Sequence, residues 1–177
     1  MVRGKKGLGV GQVFIFIVAA LTFSLILIFG YRAITGFLKS GEDVAFVQFK
    51  TGLESDVKRI YTEFGSVRVE AYTTPLHYSQ ICFVDMDQPY DPDLCAFDQI
   101  ACSVWQGTSE AGTGYEGIDE NVFLTPPAPV KLKVYKISIS EDNGKNFLCI
   151  PIKQGSFNVV MEGRGDKTLL SRMPSVG

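Results

Sequence analysis

Four cysteines, Cys82, Cys95, Cys102 and Cys149, are the residues whose type and spacing predict a definite chemistry. They include no C-x-x-C pair, which argues against a structural zinc site and favours disulfides. Cys95 and Cys102 lie seven residues apart, whereas Cys82 and Cys149 lie in two strongly apolar segments that read as strands. Of the three pairings, Cys82–Cys149 with Cys95–Cys102 requires the least rearrangement. Four reduced, buried thiols are the alternative if this part of the chain faces the cytoplasm.

An acidic segment has the polar spacing of a calcium loop. The glycine and glutamate that an EF-hand needs at its sixth and twelfth positions are replaced by Tyr90 and Ala96. A solvated acidic loop is therefore the expectation, an irregular calcium site is the alternative, and no metal ligand is assigned. The acidic residues are Asp85, Asp87, Asp91 and Asp93.

The remaining motifs do not predict an enzyme. His77 is the only histidine, and no activated nucleophile or orienting group is near it in sequence. Residues 112–117 spell G-x-G-x-x-G, but no strand precedes them and no apolar helical pattern follows, so a flexible loop is expected. Residues 164–166 spell Arg-Gly-Asp in an expected turn between strands. We therefore expect no catalytic residue and no cofactor.

The element that dominates the chain is an uncharged run of 25 residues, 7–31, bounded by Lys6 and Arg32. As a helix it would span about 38 Å, against about 30 Å for the hydrocarbon core of a bilayer. A cleaved signal peptide is the alternative, but the apolar region is too long and no small-x-small cleavage site follows it. The sequence thus predicts a retained transmembrane helix over residues 7–31, with the lipid bilayer as its partner.

The distribution of charge predicts the orientation. Of the 17 Lys and Arg residues, five precede residue 41, while all 19 Asp and Glu residues follow it. This bias favours a cytoplasmic basic N-terminus, residues 1–6, and an extracytoplasmic location in the cell membrane for residues 41–177. An acidic outer part also argues against nucleic acid as a partner, so none is expected, because phosphate contacts need a basic face.

Periodicity beyond the span predicts an α+β fold with a mostly antiparallel β-sheet or β-sandwich. Residues 32–64 are expected to form a juxtamembrane and amphipathic helix, which either continues the span or starts anew at Ser40, and residues 65–177 a β-rich domain. A hairpin is expected over residues 131–152 around an Asp-Asn-Gly turn, and a long irregular excursion over residues 85–129. The apolar stripe of the helix consists of Phe46, Phe49, Leu53, Val57, Ile60 and Phe64.

The segment Lys5-Lys6-Gly7-Leu8-Gly9-Val10-Gly11-Gln12, followed by VFIFIVAAL, resembles the N-terminus of archaeal type IV pilin-like proteins and archaellins. The resemblance implies that Lys5, Lys6 and Gly7 form a prepilin-peptidase recognition site with cleavage after Gly7. Gln12 would then be the fifth mature residue, where bacterial pilins usually hold a glutamate. More broadly, the chain resembles small archaeal single-span proteins with KKGQVFIFI-like and ICFVD-like segments, which implies a topology and no activity.

We therefore expect a single-pass membrane-anchored protein whose extracytoplasmic domain has a structural or interaction role. One alternative is a pilin-like subunit, processed after Gly7 and assembled with other pilin-like subunits into a surface filament. A second alternative is an accessory or ligand-binding subunit of a membrane complex that uses residues 85–129.

Overall fold

The computed structural model describes residues 10–140 and 144–173, apart from the side chains of Val10 and residues 35–40. Contacts divide the chain into two units, Met1–Asp43 and Val44–Gly177. We call the second one the β-rich unit. Its strands are β1 Val67–Thr73, β2 Gln80–Val84, β3 Val122–Thr125, β4 Ile137–Ser140, β5 Phe147–Pro151, β6 Ser156–Gly163 and β7 Thr168–Ser171.

One helix, α1, runs from Val10 to Thr62. It includes Ser40, so the chain follows the expectation of a continuing helix and not that of a new start at Ser40. Within the β-rich unit, the predicted apolar stripe of α1 is buried, except at its last member. Phe64 lies beyond the helix end and is 80% exposed, so its assignment to the stripe is wrong. The buried members are Phe46, Phe49, Leu53, Val57 and Ile60.

Two sheets build the β-rich unit. The four-stranded sheet has the order β1-β6-β7-β4 and the three-stranded sheet the order β3-β2-β5. Every strand pair is antiparallel except β4–β7. The predicted α+β fold with a long apolar N-terminal helix and mostly antiparallel sheets is confirmed at this level.

Each face of the three-stranded sheet covers a different apolar cluster. Ile81, Phe83 and Leu148 belong to the larger cluster, together with the stripe of α1 and the inner residues of the four-stranded sheet. The alternate residues Cys82 and Val84 belong to a second cluster, which includes Trp105. This follows from the period of two along a strand, which sends neighbouring side chains to opposite faces.

The predicted 131–152 hairpin is wrong. β4 pairs in parallel with β7, and β5 pairs with β2 in the other sheet. The apolar residues Ile137 and Ile139 of β4 face the same cluster as Leu170 of β7, so burial across the fold overrides the local turn signal. Of the predicted turn itself, residues 141–143 lie outside the described residues.

The 85–129 segment is not an irregular excursion. It contains two 3-10 helices, Pro92–Ala96 and Gly114–Gly117, the helix α2 Gln99–Ala111, and β3. Asp98 caps α2 by accepting hydrogen bonds from the backbone N–H groups of Ile100 and Ala101, and Gly112 ends it at φ 63°. The sequence therefore contains the signals of an amphipathic helix, but its Gly, Ser and Thr content obscured them. These signals are the Asp98 cap and the spacing of the buried residues Ala101, Cys102, Trp105 and Thr108.

Candidate functional site

The apolar part of α1, Gly11–Ile34, is the described helix that is long and apolar enough to cross a membrane. It has 24 residues and a mean hydropathy of 2.8, and its side chains are exposed in the isolated chain. Two of its polar groups are satisfied within the helix. The hydroxyl of Thr22 donates to the Ala19 carbonyl at 2.9 Å and that of Ser24 to the Ala20 carbonyl at 2.8 Å. Such bonding is what a hydrocarbon environment requires of buried hydroxyls.

Of the residues of the expected peptidase site, only Gln12 lies in the part of the chain that the structure describes. Lys5, Lys6 and Gly7 lie outside the described residues, whereas Gln12 lies in the first turn of α1 with an exposed side chain. The processing expectation therefore stays a prediction.

The first disulfide joins Cys82 to Cys149. The two residues lie directly opposite each other in the antiparallel β2–β5 pair, so the bond links two neighbouring strands. Both are buried in the cluster that α2 covers. This is the long-range pairing expected from the sequence.

The second disulfide joins Cys95, in the first 3-10 helix, to Cys102 of α2. The hydroxyl of Tyr90 lies 3.2 Å from the sulfur of Cys95 and 3.1 Å from that of Cys102. The ring of Tyr90 meets that of Trp105 edge to face, with 5.6 Å between centroids. The bond therefore links α2 covalently to the first 3-10 helix, and both belong to the cluster that packs on β2 and β5.

The acidic residues of the predicted loop each have a separate local role. Asp85 accepts from the backbone N–H of Asp87, and Asp87 accepts from that of Tyr115. Asp91 caps the first 3-10 helix, and Asp93 pairs with Lys145 at 3.1 Å. Within residues 10–140 and 144–173, no three His, Cys, Asp or Glu side chains converge as metal ligands.

The histidine, the Arg-Gly-Asp tripeptide and the G-x-G-x-x-G segment each have a defined position in the fold. His77 is exposed, with its ring 4.0 Å from that of Tyr78. The Arg164-Gly165-Asp166 tripeptide lies in the connection between β6 and β7, where Gly165 has φ 89° and its N–H donates to the Tyr61 carbonyl. Gly112 and Gly114 belong to the end of α2 and the second 3-10 helix, so the G-x-G-x-x-G segment is not the expected loop.

A cavity of about 230 Å³ lies beside β3. Sequence reasoning missed it because its residues come from α2, β3 and the proline-rich segment that follows β3. Its buried wall includes Val122 and Leu124, whereas Ile100 and Val130 are about half exposed. The lining residues are Asp98, Ile100, Glu120, Val122, Phe123, Leu124, Pro127, Ala128, Pro129, Val130 and Lys131.

The charged side chains that line the cavity differ in how many hydrogen-bond and ion-pair partners they have. Asp98 is occupied by its capping bonds and by the hydroxyl of Thr125, which donates to its other oxygen at 3.1 Å. Lys131 pairs with Asp119 at 2.9 Å, and this bond raises the pKa of Lys131 and lowers that of Asp119. Glu120 makes no hydrogen bond or ion pair to any described residue. Its partial burial raises its pKa, an effect that Lys131 opposes.

The described residues thus include a long exposed apolar helix segment and an open-sided cavity beside β3. No protein-family model, curated protein or solved structure matches this chain.

Proposed function

We propose that this protein is a single-pass membrane protein, N-terminus in the cytoplasm, that holds the β-rich unit outside the cell for a structural or interaction role. The observation that carries the proposal is the Gly11–Ile34 segment, 24 predominantly apolar residues with a mean hydropathy of 2.8 whose side chains are exposed in the isolated chain. An apolar surface of that extent is incompatible with water, and it fits a bilayer in length.

The orientation is supported by two independent features of the β-rich unit. It contains both disulfides, and disulfides persist in oxidising compartments outside the cytoplasm. Residues 41–177 also contain all 19 acidic residues, whereas the residues flanking the span on its N-terminal side are basic. The role is proposed to be non-catalytic because the sequence places no activated nucleophile or orienting group near His77, its only histidine.

Thiol labelling in intact cells tests the topology. A Ser109→Cys variant places a new thiol on an exposed position of α2, and a Gly4→Cys variant places one before the span. A maleimide that cannot cross membranes should label Ser109→Cys in intact cells and label Gly4→Cys only after lysis. The reverse pattern contradicts the orientation, and recovery of the wild-type chain in the soluble fraction contradicts the anchor.

A pilin-like subunit is the second candidate function. It is supported by the continuity of α1, since one helix supplies both the apolar segment and the stripe buried in the β-rich unit. In the archaeal pilin-like proteins that the N-terminal segment resembles, such a helix is first membrane-embedded and later part of a filament core. The intact mass of protein from its native membrane tests this candidate. Loss of residues 1–7, prevented by Lys6→Ala, supports processing, and a full-length mass contradicts it while leaving the anchor proposal in place.

A further inference from the structure

The cavity beside β3 has the size and the walls of a small-ligand site. Sites for drug-sized ligands usually measure about 300–1,000 Å³, so a cavity of about 230 Å³ suits a smaller molecule. Val122 and Leu124 are almost fully buried in the larger cluster, so the aliphatic lining side chains that the cavity leaves open are Ile100 and Val130, each about half exposed. An aliphatic chain of a few carbons would bury apolar surface here that the protein alone leaves in contact with water.

The charges of the cavity favour a cation. Three carboxylates, Asp98, Asp119 and Glu120, lie at or next to the cavity, whereas its lining cation Lys131 already pairs with Asp119. The carboxylate of Asp98 is held by backbone N–H groups and by Thr125. Glu120 is therefore the lining carboxylate with bonding capacity left, since it is partly withdrawn from water and makes no hydrogen bond or ion pair to a described residue. A partly desolvated carboxylate gains most from a charged hydrogen-bond donor.

We propose that this cavity binds a small alkylammonium ion, whose chain lies against Ile100 and Val130 and whose ammonium group donates hydrogen bonds to Glu120. A primary amine fits better than a quaternary one, because the lining contains a single aromatic residue, Phe123, and no aromatic cage. The carboxylates would repel an anionic ligand, and Lys131, the cation in the lining, already pairs with Asp119. The inference goes beyond membrane anchoring, since every lining residue belongs to the β-rich unit, and it stands or fails independently of the topology.

The test is a titration of the full-length, oxidised chain in a non-ionic detergent, followed by the methyl NMR signals of Ile, Leu and Val. With n-pentylamine at neutral pH we expect saturable shifts at the methyl groups of Ile100 and Val130, with a Kd on the order of 1 mM. 1-Pentanol, which has the same chain without the charge, should bind at least about tenfold more weakly. Tetramethylammonium should also bind more weakly. Partitioning of amine into the micelle would move the methyl signals of Gly11–Ile34 instead.

Matched variants assign the charge. Glu120→Gln keeps the shape and removes the negative charge, and it should weaken n-pentylamine binding about tenfold. Glu110→Gln, at an exposed position of α2 outside the cavity lining, should bind as the wild type does. Equal affinity for n-pentylamine and 1-pentanol, unchanged affinity in Glu120→Gln, or no saturable shift at the methyl groups of Ile100 and Val130 overturns the proposal.

A further titration arm identifies the source of the amine. The compound Nα-acetyl-lysine N-methylamide presents the same ammonium group at the end of a peptide-like lysine side chain. Binding of n-pentylamine with this compound excluded supports a free small amine as the ligand. Tighter binding of the lysine compound supports the ammonium site and assigns its occupant to a lysine side chain of another polypeptide.

Discussion

The hydroxyl of Thr168 donates a hydrogen bond of 2.9 Å to the backbone carbonyl of Val57. The two residues are 111 positions apart, and both are fully buried. One lies in α1 and the other begins β7, so the bond ties the amphipathic part of α1 directly to the four-stranded sheet. Buried polar groups need such partners, and this one also fixes the position of β7 along the helix.

Removing that hydroxyl should destabilise the β-rich unit. Thr168→Val keeps the side-chain shape and β-branching, and we expect a loss of about 0.5–1.5 kcal/mol in the free energy of unfolding. Chemical denaturation of the oxidised chain measures it. The matched control is Thr73→Val, at an exposed position at the end of β1, which should change stability by less than about 0.5 kcal/mol. Equal stability of the two variants would show that the bond contributes nothing.

Truncating the stripe of α1 should have a larger effect. Leu53 is fully buried in the main cluster, so Leu53→Ala should cost about 2–5 kcal/mol through lost contacts and an unfilled cavity. Val47 lies on the same helix but is 59% exposed, and Val47→Ala should be close to neutral. A thermal unfolding midpoint for Leu53→Ala equal to that of the wild type would contradict the packing of this helix.

The two disulfides should differ in their contribution to stability. Cys82–Cys149 closes a loop of 67 residues and Cys95–Cys102 one of seven. On the chain-entropy argument, replacing the first pair by alanines should cost about 4 kcal/mol and replacing the second about 2.5 kcal/mol. Denaturant midpoints of the two double variants check the order. A non-reducing peptide map should contain the two cross-linked peptides, and a Cys82–Cys95 peptide or free thiols would contradict the pairing.

The sequence was informative for α1, whose apolar patterns are local and strong. The apolar run and the stripe at Phe49, Leu53 and Val57 identify α1, because helical periodicity needs no knowledge of distant residues. The pairing of β4 with β7 could not be read this way, since a parallel neighbour depends on contacts between segments that are far apart in sequence. The cavity was beyond sequence reasoning for the same reason. Its carboxylates, Asp98 and Glu120, come together only once α2 and β3 are folded.

Asp85 gives the fold a pH dependence of known sign. The residue is 5% exposed, and burial raises the pKa of its carboxyl group above the usual range. The neighbouring Asp87 adds to the shift, while Lys167 and the bond from the Asp87 N–H, 3.2 Å long, oppose it. The folded state therefore binds this proton more tightly than the unfolded chain. Through this group, stability falls as the pH rises from the unfolded-state pKa through the folded-state value, so the ionised carboxylate destabilises the protein at neutral pH.

Asp85→Asn should consequently stabilise the protein at neutral pH. The amide oxygen still accepts the bond from the Asp87 N–H, while the buried negative charge is removed. As the pH falls below the ordinary aspartate pKa of about 3.9, Asp85 becomes neutral in both states and the advantage of the variant should disappear. Urea denaturation at neutral and acidic pH measures the difference. Asp166→Asn, at an exposed turn position, is the control and should show no such pH-dependent gain. An advantage of Asp85→Asn that is the same at both pH values would mean that lost charge is not its cause.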